Sequence, residues 1–453
     1  MSRQSSLETA RAPLRRLGVA QALRLGGCAL ALLGDWVAGL LRGAFAGPGR
    51  RAALRAASRS RAVARIVATL GALKGAFAKA GQFAALRHDV LPVSATTALA
   101  SLRDRVPPLP LPRVRAALES ELGSPLTELF ESFEPEPLGA ASVAQVHRAR
   151  LPDGRAVAVK VQYPWLEASL GVDLALVRGL LALWARAGGS APADRARILQ
   201  EFEAGLREEI DFEREARVAG EIAANLAHDP QIVVPQVVPT HSARRVLTVE
   251  YHPSLRISDA EGLDRLGVPP RALLEIVVRA YTKQLFGDGL FHADPHPGNL
   301  FVIDEPGAAE KPRLLFVDFG LSRRLDPALR RELRLGIQAL VTRDLDAFVA
   351  GMDRTGMIQP GHRDTVSRAV AAMFARIASQ GGALAVGGDR VLFLKDEAKA
   401  LLQQTPGLQL PNDLLLFAKT LSYVFALGAE LDPEVNLMKL ALPPLLRFLA
   451  EKD

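Results

Sequence analysis

Side chains that could hold a divalent cation occur in two short loops in the second half of the chain. Asp294 and Asn299 are five residues apart in His292-Ala-Asp-Pro-His-Pro-Gly-Asn299, and Asp318 follows an apolar run and precedes Phe319-Gly320. Carboxylate and amide oxygens are the hard ligands that Mg²⁺ prefers in proteins. Each loop taken alone is more often a structural turn than a metal site, so the interpretation depends on what accompanies the two loops.

A lysine and a loop of small residues lie earlier in the chain. Lys160 ends the alternating run Val157-Ala-Val-Lys160, and burying its ammonium without a partner would be costly. Small residues in a loop let backbone amides approach phosphate oxygens closely. The residues of this loop are Gly139, Ala140, Ala141, Ser142 and Val143. If neither feature has a functional role, Lys160 is an edge-strand lysine and the loop is an ordinary tight turn.

Several carboxylates lie on neighbouring turns of one predicted helix, in the segment Glu208–Glu215. Such a run is usually a solvated helix face. In chain order, however, the small-residue loop, the strand lysine, the helix acid, Asp-x₄-Asn and Asp-Phe-Gly follow one another as in a protein-kinase-like nucleotide site. In such a site a lysine clamps the ATP phosphates, Asp318 and Asn299 bind Mg²⁺, and Asp294 orients the attacking hydroxyl or water. The sequence therefore predicts ATP and Mg²⁺ as cofactors.

The hydrophobic pattern predicts the elements that would position these residues. Alternation over 143–151 and 156–163, joined by Pro152-Asp-Gly154, predicts a β-hairpin that carries Lys160. Helical periodicity dominates most of the chain after residue 268. Further predicted elements are a long helical stretch over 172–225, a strand pair at 232–238 and 246–250, strand-and-loop motifs over 291–322, and a helix over 326–340.

These elements predict an α+β fold class. The resemblance of the motif order to that of protein kinases implies a bilobal protein-kinase-like fold with a small β-rich N-lobe, a helical C-lobe and an N-terminal helical extension. The predicted regions are a basic N-terminal arm over 1–56, the helical extension over 57–132, an N-lobe with a helical insert over 133–252, and a C-lobe over 253–453. The helix after Gly320 begins almost at once, which leaves no room for an ordinary activation segment. That spacing argues against a peptide acceptor.

Charge is unevenly distributed along the chain. The net charge is +7, but the first 66 residues carry +10 and the remaining 387 carry −3. With an acidic body and 6% aromatic residues, nucleic acid is not an expected partner. The basic arm instead suits an anionic membrane surface, where residues 25–41 would form an amphipathic helix; a helix packed on the body is the alternative. The single cysteine, Cys28, excludes a disulfide framework.

Lysine is scarce in this chain, which has 46 Arg and only 10 Lys, so each lysine is informative. Lys419 interrupts the apolar stretch Leu414–Leu427. A charge in the middle of such a short stretch is unfavourable for a membrane-spanning helix. The sequence therefore predicts no spanning segment there.

The motifs together resemble the UbiB/ADCK-type atypical kinases of bacteria, mitochondria and plastids, a family tied to ubiquinone and other isoprenoid-lipid metabolism. The marker is Lys79-Ala-Gly-Gln82, which is similar to the Lys-x-Gly-Gln motif of that family. Glu209-Ile-Asp211 is similar to its Glu-x-Asp motif, Ala140–His147 to its alanine-rich loop, and His292–Asn299 to its catalytic loop. The resemblance runs from about residue 60 to about residue 325.

The resemblance implies a role for each matching residue. Lys160 would clamp the nucleotide phosphates, with Glu215 as its helix partner and Glu209 as the alternative. A lid helix would lie over the nucleotide pocket and meet the Glu-x-Asp motif. The residues of that lid contact are Lys79, Gln82, Glu209 and Asp211. Gly139 departs from the family, which usually has alanine there, and this puts the control of nucleotide choice by the loop in doubt.

The resemblance also implies an atypical kinase-like, Mg²⁺-dependent ATPase, or a kinase of small or lipid-like molecules, that supports ubiquinone or isoprenoid-lipid biosynthesis. A nucleotide-binding pseudokinase scaffold and a small-molecule kinase of the aminoglycoside/choline type are the alternatives. Expected partners are a nucleotide, an anionic membrane or quinone-precursor lipid, and proteins of a biosynthetic complex. The expected location is the cytoplasm, peripherally at the inner membrane of a bacterium, with an organellar matrix as the alternative.

Overall fold

The computed structural model describes residues 108–186, 192–379, 404–432 and 434–451, with scattered positions between 26 and 69 and between 396 and 402. Lys79 and Gln82 lie outside the described residues. The chain divides into two compact units, of which the first ends at Ile210 and the second begins at Asp211. The short segment Arg155–Val157 belongs to the second unit. The four regions predicted from composition stay a prediction.

The described part of the first unit consists of helices of varied length and a small sheet. Its helices are α1 Leu111–Leu122, α2 Leu126–Leu129, α3 Leu166–Arg186 and α4 Pro192–Glu209, and its strands are β1 Ser132–Ala140, β2 Ala144–Arg150 and β3 Ala156–Gln162. The first two residues of β3, Ala156 and Val157, belong to the second unit. Helix α1 ends at Gly123, whose φ of 76° is the left-handed conformation that glycine adopts most easily.

The sheet of the first unit has the order β1-β2-β3. The predicted β-hairpin is confirmed: β2 and β3 are joined by a turn in which Gly154 N donates to Leu151 O at 2.9 Å. Strand β1 is not predicted from the hydrophobic pattern, because Pro135 and Pro137 interrupt its alternation. Proline is tolerated on an edge strand, and the register between β1 and β2 shifts on both sides of Pro137.

The second unit is mainly helical, with two small ladders. Its helices are α5 Phe212–Leu226, α6 Ala260–Arg265, α7 Pro270–Thr282, α8 Pro327–Thr342, α9 Leu345–Arg354, α10 Arg363–Ser379, α11 Asn412–Leu431 and α12 Leu437–Leu449. Its strands are β4 Ile232–Val233, β5 Val246–Glu250, β6 Ser254–Arg256, β7 Leu290–Phe291, β8 Leu300–Ile303, β9 Leu314–Phe316 and β10 Arg323–Arg324. A π-helical turn, Lys283–Asp288, continues α7.

Two loops of the second unit are brought side by side by these ladders. We call residues 292–299, between β7 and β8, the Asp294 loop, and residues 317–322, between β9 and β10, the Asp318 loop. Strand β8 pairs with β9, with Leu300 opposite Phe316, and β7 pairs with β10, with Phe291 opposite Arg323. Each loop is therefore held at both ends by the strands that flank the other.

Two parts of the predicted secondary structure are wrong in detail. The helical stretch predicted over 172–225 is three helices, and the last break falls at Asp211, which begins α5 as its N-cap. Strand β4 pairs in parallel with β9 rather than with β5. The later part of the predicted first strand does meet β5, through an antiparallel bridge between Val237 and Val249 and the backbone bond from Val238 N to Thr248 O at 2.8 Å. The helix predicted over 326–340 is confirmed as α8.

Helix α11 is the one helix of the described part of the chain that is both long and apolar enough to meet the criteria for a membrane span. By length and composition it could cross a membrane, and half of it is buried inside the protein. Phe417 on this helix packs edge-on against Phe286 and Phe291, with ring centroids 6.1 and 6.0 Å apart. Such packing is typical of a core helix and accounts for the apolar composition. The prediction that this stretch does not span a membrane stays a prediction.

Candidate active site

The Asp294 loop is closed by a contact between its two functional residues. Asn299 Nδ2 donates to the carbonyl oxygen of Asp294 at 3.1 Å and to its carboxylate Oδ2 at 3.1 Å. Two backbone bonds tighten the turn, because His296 N donates to Asp294 O at 2.7 Å and Asn299 N donates to His296 O at 2.8 Å. The structure thus brings into direct contact the two residues that the Asp-x₄-Asn spacing predicts to act together.

His292 joins the Asp294 loop to the Asp318 loop. Its Nε2 lies 3.1 Å from Val317 O and 2.9 Å from Asp318 O. Since both oxygens are acceptors, Nε2 carries the proton, and Nδ1 accepts a hydrogen bond from the Tyr281 hydroxyl at 3.1 Å. Val317 N also donates to the carbonyl oxygen of Asn299 at 3.0 Å. One buried imidazole and one backbone bond therefore fix the two loops relative to each other.

Burial keeps the His292 imidazole and the Tyr281 hydroxyl neutral. It lowers the pKa of His292, although the charges of Asp294 and Asp318 and the two carbonyl contacts oppose the shift. It raises the pKa of the Tyr281 hydroxyl well above its ordinary value, and the charge of Asp294 adds to that shift. A neutral histidine with its proton on Nε2 and a protonated tyrosine are the forms that the hydrogen bonds require.

The π-helical turn supplies another partner for His292. Gln284 in this turn is fully buried, and its Oε1 accepts from His292 N at 2.9 Å, while its Nε2 donates to Ala280 O at 3.2 Å. Such turns are rare and are frequent at functional sites. Gln284 thereby holds the backbone two residues before Asp294.

Asp318 adopts a left-handed backbone conformation with φ of 64°. This region costs most L-residues about 1–2 kcal/mol and is visited more readily by Asp and Asn. The bond from His292 to the Asp318 carbonyl holds it on one side. On the other side, the Arg214 guanidinium donates to Gly320 O at 3.3 Å and to Ser322 O at 3.0 Å. A strained polar residue held by its surroundings is typical of a functional site.

Helix α5 carries the predicted acidic motif at its start. Asp211 caps the helix, and its Oδ1 accepts from Arg214 N at 2.9 Å. Glu215, one turn further on, is fully buried. The described contact of Asp211 is therefore a helix cap, and the role predicted for it beside Lys79 and Gln82 stays a prediction because those two residues lie outside the described part.

A lysine that no motif indicates pairs with Asp294. Lys419 on α11 donates from Nζ to Asp294 Oδ1 at 2.8 Å, and its side chain is only 8% exposed. Its Nζ also lies 5.6 Å from the centroid of the Tyr423 ring. The signal in the sequence is a scarce lysine within an apolar helix. That pattern predicts that Lys419 needs a partner, but nothing in the sequence identifies a partner 125 residues away.

In the first unit, the predicted phosphate-binding loop is a tight turn between β1 and β2. Ala141 N donates to Ala144 O at 2.8 Å across the turn. Tyr163 holds the turn from the next strand: its hydroxyl donates to Ala141 O at 3.0 Å and its backbone N donates to Val143 O at 3.0 Å. Burial raises the pKa of the Tyr163 hydroxyl to about 12, so it remains a donor. All five predicted residues lie in this turn or at the end of β1: Gly139, Ala140, Ala141, Ser142 and Val143.

Lys160 lies in the same unit, on β3. It shares the less buried face of this strand with Ala158, while Val159 is fully buried on the other face. Glu209 is the last residue of α4 and also belongs to the first unit. Because Glu215 belongs to the second unit, its pairing with Lys160 stays a prediction, as does the alternative with Glu209.

The residues of the two loops fit a magnesium–nucleotide complex. Within the described part of the chain, no cluster of three or more His, Cys, Asp or Glu side chains could hold a metal ion alone. A nucleotide-bound Mg²⁺ needs only one or two protein ligands, because phosphates and water complete its shell. Because Asn299 Nδ2 donates to Asp294, its Oδ1 is the atom of this amide that would coordinate the ion. The Asp318 carboxylate would be the second hard oxygen ligand.

An Asp-x₄-Asn loop joined to an Asp-Phe-Gly loop, together with a strand lysine, defines the protein-kinase-like class. The ABC1 atypical kinase-like domain matches residues 101–351, and the chain belongs to that family. The resemblance to UbiB-type kinases is thereby confirmed.

Relatives agree with this assignment. The chain is 32% identical over 372 residues to "Probable protein kinase UbiB" of Marinobacter nauticus, covering 81% of this chain and 66% of that protein. It is 30% identical over 403 residues to "Protein ACTIVITY OF BC1 COMPLEX KINASE 8, chloroplastic" of Arabidopsis thaliana, covering 82% and 52%. The chain thus spans between about half and two thirds of the length of these relatives.

A solved structure confirms the fold. The Mycobacterium tuberculosis protein in "The complex structure of Rv3197-erythromycin" is similar with a TM-score of 0.54 and 25% identity, covering 89% of this chain and all of that one. The predicted α+β, protein-kinase-like fold is therefore confirmed.

Proposed function

We propose that this protein is an Mg²⁺-dependent, kinase-like ATPase, or a kinase of a small or lipid-like acceptor, that acts in ubiquinone or isoprenoid-lipid biosynthesis. The observation that carries the proposal is the joined pair of loops in the second unit. Asp294 and Asn299 are in contact, and His292 ties their loop to the carbonyl of Asp318. Asp294, Asn299 and Asp318 are of the residue types that phosphoryl transfer requires, and protein contacts hold the loops that carry them.

Each residue has a definite task in this proposal. Asn299 Oδ1 and the Asp318 carboxylate hold Mg²⁺, which supplies positive charge at the phosphate oxygens. Asp294 orients the hydroxyl or water that attacks the terminal phosphate. In the first unit, Lys160 and the backbone amides of loop 139–143 bind the phosphates of ATP.

The segment after the Asp318 loop favours an acceptor other than a peptide. Strand β10 follows at Arg323 and helix α8 begins at Pro327. Leu325 N donates to Gly289 O at 2.8 Å, which ties the intervening residues to the body of the second unit. A kinase that reads peptides positions them on an activation segment, and seven residues from Gly320 to Asp326 leave little chain for one. We therefore favour water, a small molecule or a lipid-like molecule as the acceptor, although one relative is named a probable protein kinase.

The pathway and the location belong to the same proposal. The relative named UbiB and the motif resemblance support a link to ubiquinone or other isoprenoid lipids. The first 66 residues carry a net charge of +10, which supports a peripheral place at an anionic membrane surface. We place the protein at the cytoplasmic face of a bacterial inner membrane, with an organellar matrix as the alternative. The family membership disfavours the alternative of an aminoglycoside/choline-type kinase. The other alternative, a nucleotide-binding pseudokinase scaffold, differs from an enzyme in having no ATP turnover.

The test is the release of phosphate from Mg-ATP by the purified full chain, with and without anionic liposomes. Asp318→Asn serves as the blank. Turnover above the blank that rises with liposomes supports a membrane-gated ATPase. Absence of turnover with intact nucleotide binding contradicts the enzymatic proposal and favours the scaffold.

A further inference from the structure

Lys419 occupies an unusual place for a lysine. It lies on α11, a helix whose residues Leu415, Leu416 and Phe417 are buried, and its own side chain is 8% exposed. Removing an ammonium from water costs on the order of several kcal/mol unless an opposite charge and hydrogen bonds compensate for it. The described contact that compensates for the charge of Lys419 is a bond from its Nζ to Asp294 Oδ1 at 2.8 Å. A buried lysine is therefore retained in contact with the residue that orients the nucleophile.

The carboxylate of Asp294 is held from two directions. Lys419 donates to Oδ1, and Asn299 Nδ2 donates to Oδ2 at 3.1 Å. Asn299 comes from the same loop, whereas Lys419 comes from a helix that follows much later in the chain. With one donor on each oxygen, the plane of the carboxylate is fixed, and a fixed carboxylate can orient a nucleophile.

The Asp294 loop has no lysine or arginine of its own, so positive charge at this loop has to come from another element. The segment His292–Asn299 contains Asp294 but neither lysine nor arginine. Phosphoryl transfer depends on positive charge around the transferred group, placed before the reaction begins. An ammonium has three N–H donors and can bond a carboxylate and a phosphate oxygen together. Lys419, whose Nζ contacts Asp294 in this loop, can provide that charge.

We propose that Lys419 is a positioning residue of the active site: it fixes the Asp294 carboxylate and supplies positive charge for the terminal phosphate of ATP. This inference rests on the proposed function. It makes α11 part of the active site, although Lys419 lies beyond residues 101–351, the region that matches the family. A purely structural ion pair that ties α11 to the Asp294 loop is the competing explanation.

The two explanations differ in how they treat ATP and ADP. Lys419→Met keeps the length of the side chain and removes its charge, whereas Lys439→Met removes an exposed charge from the neighbouring helix α12 and serves as the matched control. The affinities for Mg-ADP and for a non-hydrolysable Mg-ATP analogue, the release of phosphate from Mg-ATP, and the unfolding midpoint are measured for each full-length variant.

For Lys419→Met we expect phosphate release to fall about 100-fold, as on loss of one preorganised donor. The ratio of ATP-analogue to ADP affinity should fall about tenfold, since a charged hydrogen bond to the terminal phosphate is lost. The affinity for Mg-ADP should stay within about twofold of wild type, and Lys439→Met should match wild type throughout. Lys419→Arg keeps the charge but moves it, so it should recover the affinity ratio and only part of the rate.

A structural ion pair predicts a different result: both affinities fall together, the unfolding midpoint falls, and their ratio is unchanged. That result would overturn the role of Lys419 and leave the proposed function intact. If wild type binds neither nucleotide, both proposals fail. If Lys419→Met does not fold, the Arg variant decides, because an unchanged rate there contradicts a positioning role.

Discussion

The predicted nucleotide-binding loops of the first unit and of the second unit are built in different ways. In the first unit, the described contacts that hold loop 139–143 are mainly backbone bonds, those of the β1–β2 ladder and of Tyr163 N to Val143 O, joined by the Tyr163 hydroxyl on Ala141 O. In the second unit, the Asp294 and Asp318 loops are held by buried side chains, among them His292, Gln284 and Lys419. Backbone ladders tolerate substitution, whereas a buried polar network loses several partners with each change. The second unit should therefore be far more sensitive to single substitutions.

The largest effect is expected at Asp318. Asn adopts the left-handed conformation as readily as Asp, so Asp318→Asn keeps the backbone and removes the charge that we propose holds Mg²⁺. We expect the affinity for Mg-ADP to fall by about 100-fold or more, since even outer-shell changes at metal sites cost about 10–100-fold. Titration calorimetry measures this loss, and chelating Mg²⁺ with EDTA should reproduce it in wild type. An affinity within threefold of wild type would remove Asp318 from the site.

His292 should have the next largest effect, and on stability. His292→Phe fills the space but leaves the carbonyls of Val317 and Asp318 and the Tyr281 hydroxyl without their partner. We expect a loss of about 3 kcal/mol in the free energy of unfolding, because each buried unpaired polar group costs about 1–3 kcal/mol. Urea unfolding measures it. His228→Phe, at an exposed position of the same unit, should change stability by no more than about 0.5 kcal/mol.

The same histidine predicts a pH dependence. Its pKa is lowered in the folded protein, while the unfolded chain takes up a proton near the ordinary value of 6.5. The unfolded state therefore binds more protons below that pH, and the free energy of unfolding falls as the pH drops from about 6.5. In His292→Phe this part of the acid sensitivity should be absent. An identical pH profile in both proteins would contradict the burial of a neutral imidazole.

A smaller effect, of opposite sign, is expected in the first unit. Asp173 on α3 is buried, burial raises its pKa to about 6 from 3.8, and within the described residues its Oδ1 has no hydrogen-bond partner. The raised pKa means that stability is fully present below pH 3.8 and falls as the pH rises towards about 6. Asp173→Asn should therefore be more stable than wild type by about 2 kcal/mol at pH 7 and no more stable at pH 3.5.

Asp173→Asn keeps the acceptor for the Ser169 hydroxyl, which lies 2.9 Å away, and leaves one buried polar atom unpaired as before, so only the charge changes. Urea unfolding between pH 3.5 and 8 measures the difference. Glu128→Gln, an exposed carboxylate of the same unit, is the control and should show no such crossover. A destabilised Asp173→Asn at pH 7 would show that the carboxylate is compensated.

The smallest effect is expected at Tyr163. Tyr163→Phe removes one hydrogen bond, from the hydroxyl to Ala141 O, and should cost about 1 kcal/mol of stability. Nucleotide affinity should change by less than about threefold, because the ladder still holds the turn. Thermal unfolding and nucleotide titration measure the two quantities. A tenfold loss of affinity would mean that the side chain, and not the ladder, shapes this loop, and the contrast between the two units would disappear.

The sequence predicts the parts of this molecule whose signals are local. The β2–β3 hairpin follows from alternation around a glycine turn, and the contact of Asp294 with Asn299 follows from their spacing on a proline-stiffened loop. The partners of His292 could not be predicted, because no motif marks Tyr281 and Gln284, although they lie only 11 and 8 residues before it. The partner of Lys419 could not be predicted, because Asp294 is 125 residues away in the chain. Strand β1 could not be predicted because its prolines suppress the alternation that identifies a strand. The functional residues of the loops can therefore be predicted from the sequence, whereas the buried side chains that hold those loops cannot.

The central claim is that Asn299 and Asp318 hold a nucleotide-bound divalent cation. Electron paramagnetic resonance of Mn²⁺, which substitutes for Mg²⁺, tests it directly with the full chain, ADP, and Asp318→Asn as the control. We predict that wild type with ADP removes free Mn²⁺ signal well beyond ADP alone, and that Asp318→Asn does not. Equal loss of signal in both proteins, or none beyond that of ADP alone, would contradict the claim.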